Sequence, residues 1–345
     1  MDETNISFVS TMKHGMNIDL KLLKDYLAKY MENGSFRYFI NEGEKGNEMV
    51  RSGRRDRKDN FCRQMKYAVC IDASLSKENI QEDVPGARRI LLALPFESWF
   101  KKTNLLKDGK EVPLEDLSVF THIMVTSPFM EMAVRKTSKL HPKVHIEKTV
   151  SPFVWDALQP EREDEARGRF AYYFPAMQGK KVLAVLTAGE VKEEAETIFD
   201  SLNLEELLND LGSDWFLITN NGRLLERYAS LSSRYKDVCG YVDRVLAPRD
   251  LICFSDALLT NSSIYAYYFV ARKKPVFCLP YKNNQFEKYV KTNYPELYME
   301  SMDDLADVGQ RLSVFSPAHE KFYDEFSNKE DENPGIKVAK IIEEI

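Results

Sequence analysis

Apolar residues in this chain gather in short blocks, and the blocks alternate with longer stretches where apolar positions recur every three or four residues. In the first half the blocks predict strands at 6–10, 36–40, 67–71, 90–94, 123–126 and 144–150. Residues 18–31 predict an amphipathic helix, with Leu20, Leu23, Tyr26, Leu27 and Tyr30 at helical spacing. The polar stretch up to Met65 is expected to be partly helical. Ser127-Pro128 opens a further helix, its proline in the first turn where a missing N–H costs nothing. The second half repeats the style, with strands at 182–186, 215–219, 257–260 and 275–279 and a last one near 297–299. Helices are expected at 190–211, 223–235, 264–272, 302–312, 317–326 and 336–345.

Strands alternating with helices imply a parallel sheet with right-handed crossovers in each half. The expected fold class is α/β, two Rossmann-like domains facing across a cleft. Residues 159–169 are charged and lack apolar periodicity, which reads as a linker. The resulting boundaries are 1–160, a linker at 161–178, a second domain at 179–330 and a C-terminal helix at 331–345.

Composition narrows the function. The 48 Lys and Arg against 54 Asp and Glu leave a net charge of −6, which argues against a general nucleic-acid binder. No apolar run approaches the roughly 18 residues that span a bilayer. The acidic start, Met1 to Asn5, has no signal-peptide core, so a cytoplasmic location is expected. Five widely spaced cysteines without a CxxC pair fit reduced core thiols. His141 and His145 have an i,i+4 spacing, but Pro142 turns the chain between them, and no metal site is expected.

Chemistry is sought where strands end, because open parallel sheets bind ligands beyond their carboxyl edges. Ser255-Asp256-Ala257-Leu258-Leu259-Thr260-Asn261-Ser262-Ser263 is a buried strand running into a turn, then a helix. Asn261, Ser262 and Ser263 are all good N-caps, and a helix start there aims free N–H groups at one point where a diphosphate can rest. An ordinary capped helix without a ligand is the competing reading. The loop after the first strand holds His14 beside Gly15, placed for general base or acid work, or for a local hydrogen bond. Glu97 follows Leu94-Pro95-Phe96 and is a second acid/base candidate; a helix-start carboxylate favoured by the dipole is the alternative. Thr187 and Gly189 follow the first strand of the second half, where small residues let a ligand approach the backbone. Asn220, Asn221 and Arg223 follow the next, and could meet a base, ribose or phosphate or form a plain turn. The run Arg51, Arg54, Arg55, Arg57, Lys58 is interrupted by Asp56 and reads as a solvated face.

With these residues set out, the second half resembles the donor domain of GT-B transferases, and most closely the CDP-glycerol glycerophosphotransferases of teichoic acid and capsule synthesis. The residues that carry the likeness are Ser255-Asp256, Thr260-Asn261-Ser262-Ser263 and, after the helix, Lys274-Pro275, although the turn has Asn261 where the family has aspartate and lacks the family's tyrosine. Thr126-Ser127-Pro128-Phe129 matches a Ser-Pro-Phe segment of the same family. The family's His-Gly-Thr-Pro and His-Pro motifs would fall near Leu94-Pro95-Phe96-Glu97 and Asn220-Asn221, where this chain has no histidine. The resemblance implies an acceptor domain followed by a donor domain of the GT-B type, with the serines on the donor phosphates. It also implies transfer of a sugar or glycerophosphate from a nucleotide-activated donor to a polysaccharide or lipid-linked acceptor. No metal or other cofactor is expected, because a helix start can take the electrostatic role and no Asp-x-Asp pair is present to hold a metal. Membrane association would be peripheral at most, at the inner face. The missing histidines keep open a non-catalytic partner in surface-polymer assembly, and the same fold leaves open a nucleotide-sugar epimerase.

Overall fold

The computed structural model describes residues 4–10, 17–31, 34–40, 48–51, 54–57, 67–70, 86–188, 204–221, 239–241, 246–281, 284–301, 308–329 and 332–343. Its strands, in chain order, are β1 (Thr4–Ser10), β2 (Gly34–Ile40), β3 (Glu48–Arg51), β4 (Arg54–Arg57), β5 (Tyr67–Cys70), β6 (Arg88–Ala93), β7 (Glu115–Asp116) and β8 (His122–Val125). They continue as β9 (Ser138–Lys139), β10 (His145–Lys148), β11 (Lys181–Leu186), β12 (Trp215–Thr219), β13 (Cys239–Tyr241), β14 (Ala257–Thr260) and β15 (Val276–Cys278).

The chain divides into two compact units, one made of Met1–Pro95, Gly109–Asp156 and Ser327–Ile345, the other of Phe96–Asp108 and Ala157–Phe326. This differs from a single cut near residue 160. The first unit holds a six-stranded sheet in the order β10-β8-β6-β5-β1-β2, every pair parallel. Ile6, Phe8, Val69, Ile90, Leu92, Ile123 and Val125 bury its strands completely or nearly so. The helix Ile18–Tyr30 is capped by Asn17, whose Oδ1 accepts from the Asp19 N–H at 2.7 Å. It lies against the last helix, Pro334–Glu343, with an approach so close that a Cβ on Gly335 would sit 2.5 Å from the Tyr26 Cβ. Asn328 fixes the returning segment, its Nδ2 donating to Val125 O at 2.8 Å and Thr149 O at 2.7 Å. The buried Asp19 carboxylate accepts from Ser151 Oγ at 2.6 Å and the Phe153 N–H at 3.0 Å. The basic run expected on a partly helical stretch instead lies largely on the antiparallel pair β3–β4. Four-residue strands do not build up helical periodicity.

The second unit's sheet runs β13-β12-β11-β14-β15, again all parallel. Leu183, Val185, Leu207, Trp215, Leu217, Leu259 and Phe277 belong to its core. The expected strand near 297–299 reduces to one bridge between Tyr298 and Cys278. The helix Glu97–Lys107 joins this unit because its aromatic ring at Phe100 packs on Phe286, Tyr289 and Phe326, with centroids 5.1, 5.3 and 5.9 Å away. The segment expected as a linker is the helix Pro160–Tyr173. Its narrow apolar stripe is Ala166 and Phe170, and several of its charges are paired. Arg162 and Arg169 reach Asp250 at 2.6 and 3.0 Å, and Glu163 reaches the buried Arg272 at 2.6 Å. The two pairs to Asp250 join it to the helix Pro248–Phe254, which the sequence patterning also did not reveal.

Candidate functional site

Reading outward from the central strand β11 of the second unit, the order is β12 then β13 on one side and β14 then β15 on the other. The strand order therefore reverses between β11 and β14, and a ligand crevice opens at the carboxyl ends of such a pair. Five sequence candidates, Thr187, Asn220, Asn221, Thr260 and Asn261, lie at these strand ends, and Ser262 and Ser263 follow directly.

The two strands flanking β11 end alike. Thr219 Oγ1 accepts from the Asn221 N–H at 3.1 Å, and Thr260 Oγ1 accepts from the Ser262 N–H at 3.0 Å. Each threonine thus turns the chain through its own hydroxyl. The asparagine after each threonine then reaches across to the segment leaving β11. Asn220 accepts from the Thr187 N–H at 2.8 Å and donates to Thr187 O at 3.0 Å. Asn261 accepts from the Ala188 N–H at 2.7 Å, with its Nδ2 3.5 Å from Ala188 O. Asn221 Nδ2 donates to Thr187 Oγ1 at 3.3 Å. The carboxamides of Asn220 and Asn261, expected to face a ligand, are engaged by backbone.

Beyond the turn the helix Ser263–Val270 begins, capped by Ser262, whose Oγ accepts from the Tyr265 N–H at 3.5 Å. The Ala266 N–H is answered by Ser262 O at 3.0 Å. The N–H groups of Ser263 and Ile264, the first two of the helix, donate to no described residue. They are the donors a helix start leaves over, together with the positive end of the dipole. The side chains gathered here are all neutral: Thr187, Asn220, Asn221, Thr260, Asn261, Ser262 and Ser263.

The rest of the motif sits at the other end of the sheet. Asp256 Oδ2 accepts from the Val182 N–H at 2.9 Å, and Lys274 Nζ lies 3.3 Å from Asp256 Oδ1. Asp256 and Lys274 therefore tie together the starts of β11, β14 and β15, away from the carboxyl edge. The sequence likeness mixes a sheet staple with a ligand-facing turn, and only the geometry separates them.

Glu97 is held within the same unit at a helix start. Its Oε1 accepts from the Gln285 N–H and its Oε2 from the Phe286 N–H at 3.3 Å, so it caps the helix Gln285–Asn293 from another segment. Burial raises its pKa, and the two amides partly offset that rise. Asn284 shares the capping, its Oδ1 accepting from Phe286 and Glu287 N–H at 2.8 and 3.0 Å. Asn284 Nδ2 also donates to Asn261 O at 3.4 Å, linking this helix start to the turn. With both oxygens engaged, Glu97 has the geometry of a cap, not of a free acid or base.

His14, Gly189 and Arg223 lie outside the described residues. In the first unit the order reverses between β1 and β5, and the segments that follow both strands, 11–16 and 71–85, also lie outside them. Ser127 caps the helix Pro128–Thr137 as expected, accepting from the Met130 N–H at 3.2 Å. Among the described residues no three His, Cys, Asp or Glu side chains gather as a metal set, and no helix is long and apolar enough to cross a membrane.

Two Rossmann-like units, each with a parallel sheet and the second with a capped helix start at its switch point, define an α/β fold of the GT-B type. The solved structures that resemble the chain have that fold. The wall teichoic acid polymerase TagF matches with a TM-score of 0.64 at 16% identity, covering 99% of this chain and 90% of that one. The UDP-GlcNAc 2-epimerase of Methanocaldococcus jannaschii, solved with UDP-GlcNAc and UDP, matches with a TM-score of 0.57 at 12% identity, over 98% of this chain and 99% of that one. The UDP-GlcNAc 2-epimerase of Neisseria meningitidis, bound to UDP-GlcNAc, gives 0.54 and 12%, over 99% of both chains. No protein-family model matches the sequence, and no curated protein matches it significantly.

Proposed function

We propose that the chain is a GT-B transferase that moves a sugar or glycerophosphate group from a nucleotide-activated donor to a hydroxyl of a cell-surface polysaccharide or teichoic-acid-like acceptor. The observation that carries this reading is the helix start at Ser263, with two unanswered N–H groups at the switch point of the second sheet. The near full-length likeness to TagF, also solved after a soak with CDPG, supports it.

In this reading the donor phosphates rest on the Ser263 and Ile264 N–H groups and the Ser263 hydroxyl. Charge developing on the leaving diphosphate meets the positive end of the helix. Thr187, Gly189, Asn221 and Arg223 border the nucleotide. His14 takes the proton of the acceptor hydroxyl. Holding donor and acceptor in reactive geometry accounts for much of the rate gain. A metal is not part of the proposal, because the helix terminus takes the electrostatic role. The acceptor is a polysaccharide or lipid-linked chain, met at the inner face of the membrane by peripheral association.

Ser263→Ala is the cleaner test of the turn, because Ser262→Ala also removes a helix cap worth about 1 kcal/mol. Ser263→Ala should weaken binding of UDP or CDP in calorimetry, and His14→Ala should lower turnover by roughly 10²–10⁴-fold with donor binding retained. Undiminished turnover in His14→Ala would remove the assigned base. No stabilisation by any nucleotide of a UDP, CDP and GDP-sugar panel would favour a non-catalytic assembly partner. The full-length likeness to two UDP-GlcNAc 2-epimerases supports a second reading, epimerisation of a nucleotide sugar, which would yield product without an acceptor.

A further inference from the structure

We propose that Arg249 is a donor-binding residue, its guanidinium holding one phosphate of a diphosphate whose other phosphate rests on the helix start at Ser263. The proposal rests on the donor reading above and deepens it. A site with two anion-binding groups side by side takes two linked phosphates, and so favours nucleoside diphosphates over monophosphates.

The fold brings Arg249 to the turn. From β13 the chain passes β12 and β11 to reach β14, and from β14 it steps on in the same direction to β15. Right-handed crossovers therefore put the helices Pro248–Phe254 and Ser263–Val270 on one face of the sheet, and the two are neighbours there. The first leads into the start of β14 and the second leaves its end, so both have their first turns towards the carboxyl edge. Arg249 is in the first turn of one helix and Tyr265 in the first turn of the other. Tyr265 directly follows the two residues whose N–H groups are unanswered.

The charge of Arg249 is not taken up by protein. Its neighbour Asp250 is already answered by Arg162 at 2.6 Å and Arg169 at 3.0 Å. Arg249 makes no ion pair or hydrogen bond with another described residue, and its Nε is buried without a partner although the residue as a whole is partly exposed. A buried guanidinium nitrogen left unanswered asks for an explanation, and an anion at the adjoining helix start provides one. Burial raises the pKa of the Tyr265 phenol, and the Arg249 charge partly offsets that rise, so the field of Arg249 is felt at this helix start. The turn's own side chains are neutral, and a guanidinium adds to them a full positive charge with paired N–H donors that match two phosphate oxygens.

Calorimetry of the full chain with UDP and UMP, and with CDP and CMP, decides it. In Arg249→Met the Kd for the diphosphate should rise at least about 10-fold, and that for the matching monophosphate less than about threefold. Arg249→Lys keeps the charge without the fork, so its diphosphate Kd should lie between those of wild type and Arg249→Met. It carries the same comparison if Arg249→Met does not fold. Added salt should weaken diphosphate binding more in wild type than in Arg249→Met. A smaller effect on the diphosphate, or an equal effect on diphosphate and monophosphate, would overturn the proposal and leave the donor reading to stand on Ser263→Ala. Wild-type protein that binds neither UDP nor CDP would overturn the donor reading and, with it, the role given to Arg249.

Discussion

Removing the Glu97 carboxylate separates a capping role from a catalytic one. Glu97 accepts two backbone N–H groups at the start of the helix Gln285–Asn293, and Asn284 accepts from the same turn. Losing a cap costs about 0.5–2 kcal/mol, and losing a negative charge at a helix start costs about 0.3–1 kcal/mol. Asn284 remains in Glu97→Ala and limits the damage. The expected loss is therefore about 1–2 kcal/mol, and Glu97→Gln, which keeps one acceptor, should lose about half of that. For a unit of this size, 1 kcal/mol lowers Tm by about 2–4 °C. Differential scanning fluorimetry of the two variants reads the stability, and a donor-hydrolysis or transfer assay reads the activity. The reasoning predicts graded Tm losses with turnover changed less than about threefold. A turnover loss above 100-fold with an unchanged Tm would refute it and return Glu97 to the acid/base candidates.

Other consequences follow from the buried charges. Arg272, with a side chain 5% exposed, reaches Glu163 at 2.6 Å, Ile252 O at 2.8 Å and Ser255 O at 3.4 Å. Arg272→Met should cost about 2–3 kcal/mol in urea unfolding, at or below the low end for a buried pair because Glu163 is 37% exposed and partly screened; an unchanged midpoint would contradict a structural role for the helix Pro160–Tyr173. His319 accepts from the Ser316 N–H at Nδ1, 3.1 Å, and its Nε2 lies 3.1 Å from Val276 O. Burial holds its pKa down at about 4, with Arg311 adding to the effect. The unfolded imidazole protonates near 6.5, so the contribution is complete above that pH and is lost as pH falls towards 4, by at most about 3 kcal/mol. His319→Gln should flatten stability between pH 7 and 4.5 relative to wild type, and parallel pH curves would contradict the assignment.

What was legible in the chain follows from where each signal lives. Strands β12 and β14 could be bounded to the residue, because an unbroken apolar run ends at a threonine followed by asparagine in both. The helix Pro160–Tyr173 was hidden because its buried stripe is only Ala166 and Phe170, while its charges find partners far along the chain. The three-residue strand β13 is too short to carry a period. The helix Glu97–Lys107 belongs to the second unit through Phe100 and Glu97, contacts no local pattern announces. At the site, the turn and its capping serine were readable from residue type. The double amide clasp was not, since its partners are backbone groups more than thirty residues away in sequence. The repeated Thr-Asn at 219–220 and 260–261 was the available sign.

A crystal structure with bound UDP or CDP tests the central claim most directly. The account predicts phosphate oxygens about 3 Å from the Ser263 and Ile264 nitrogens, at the start of the helix Ser263–Val270. A diphosphate bound elsewhere, with those two N–H groups taken up by protein atoms, would contradict it.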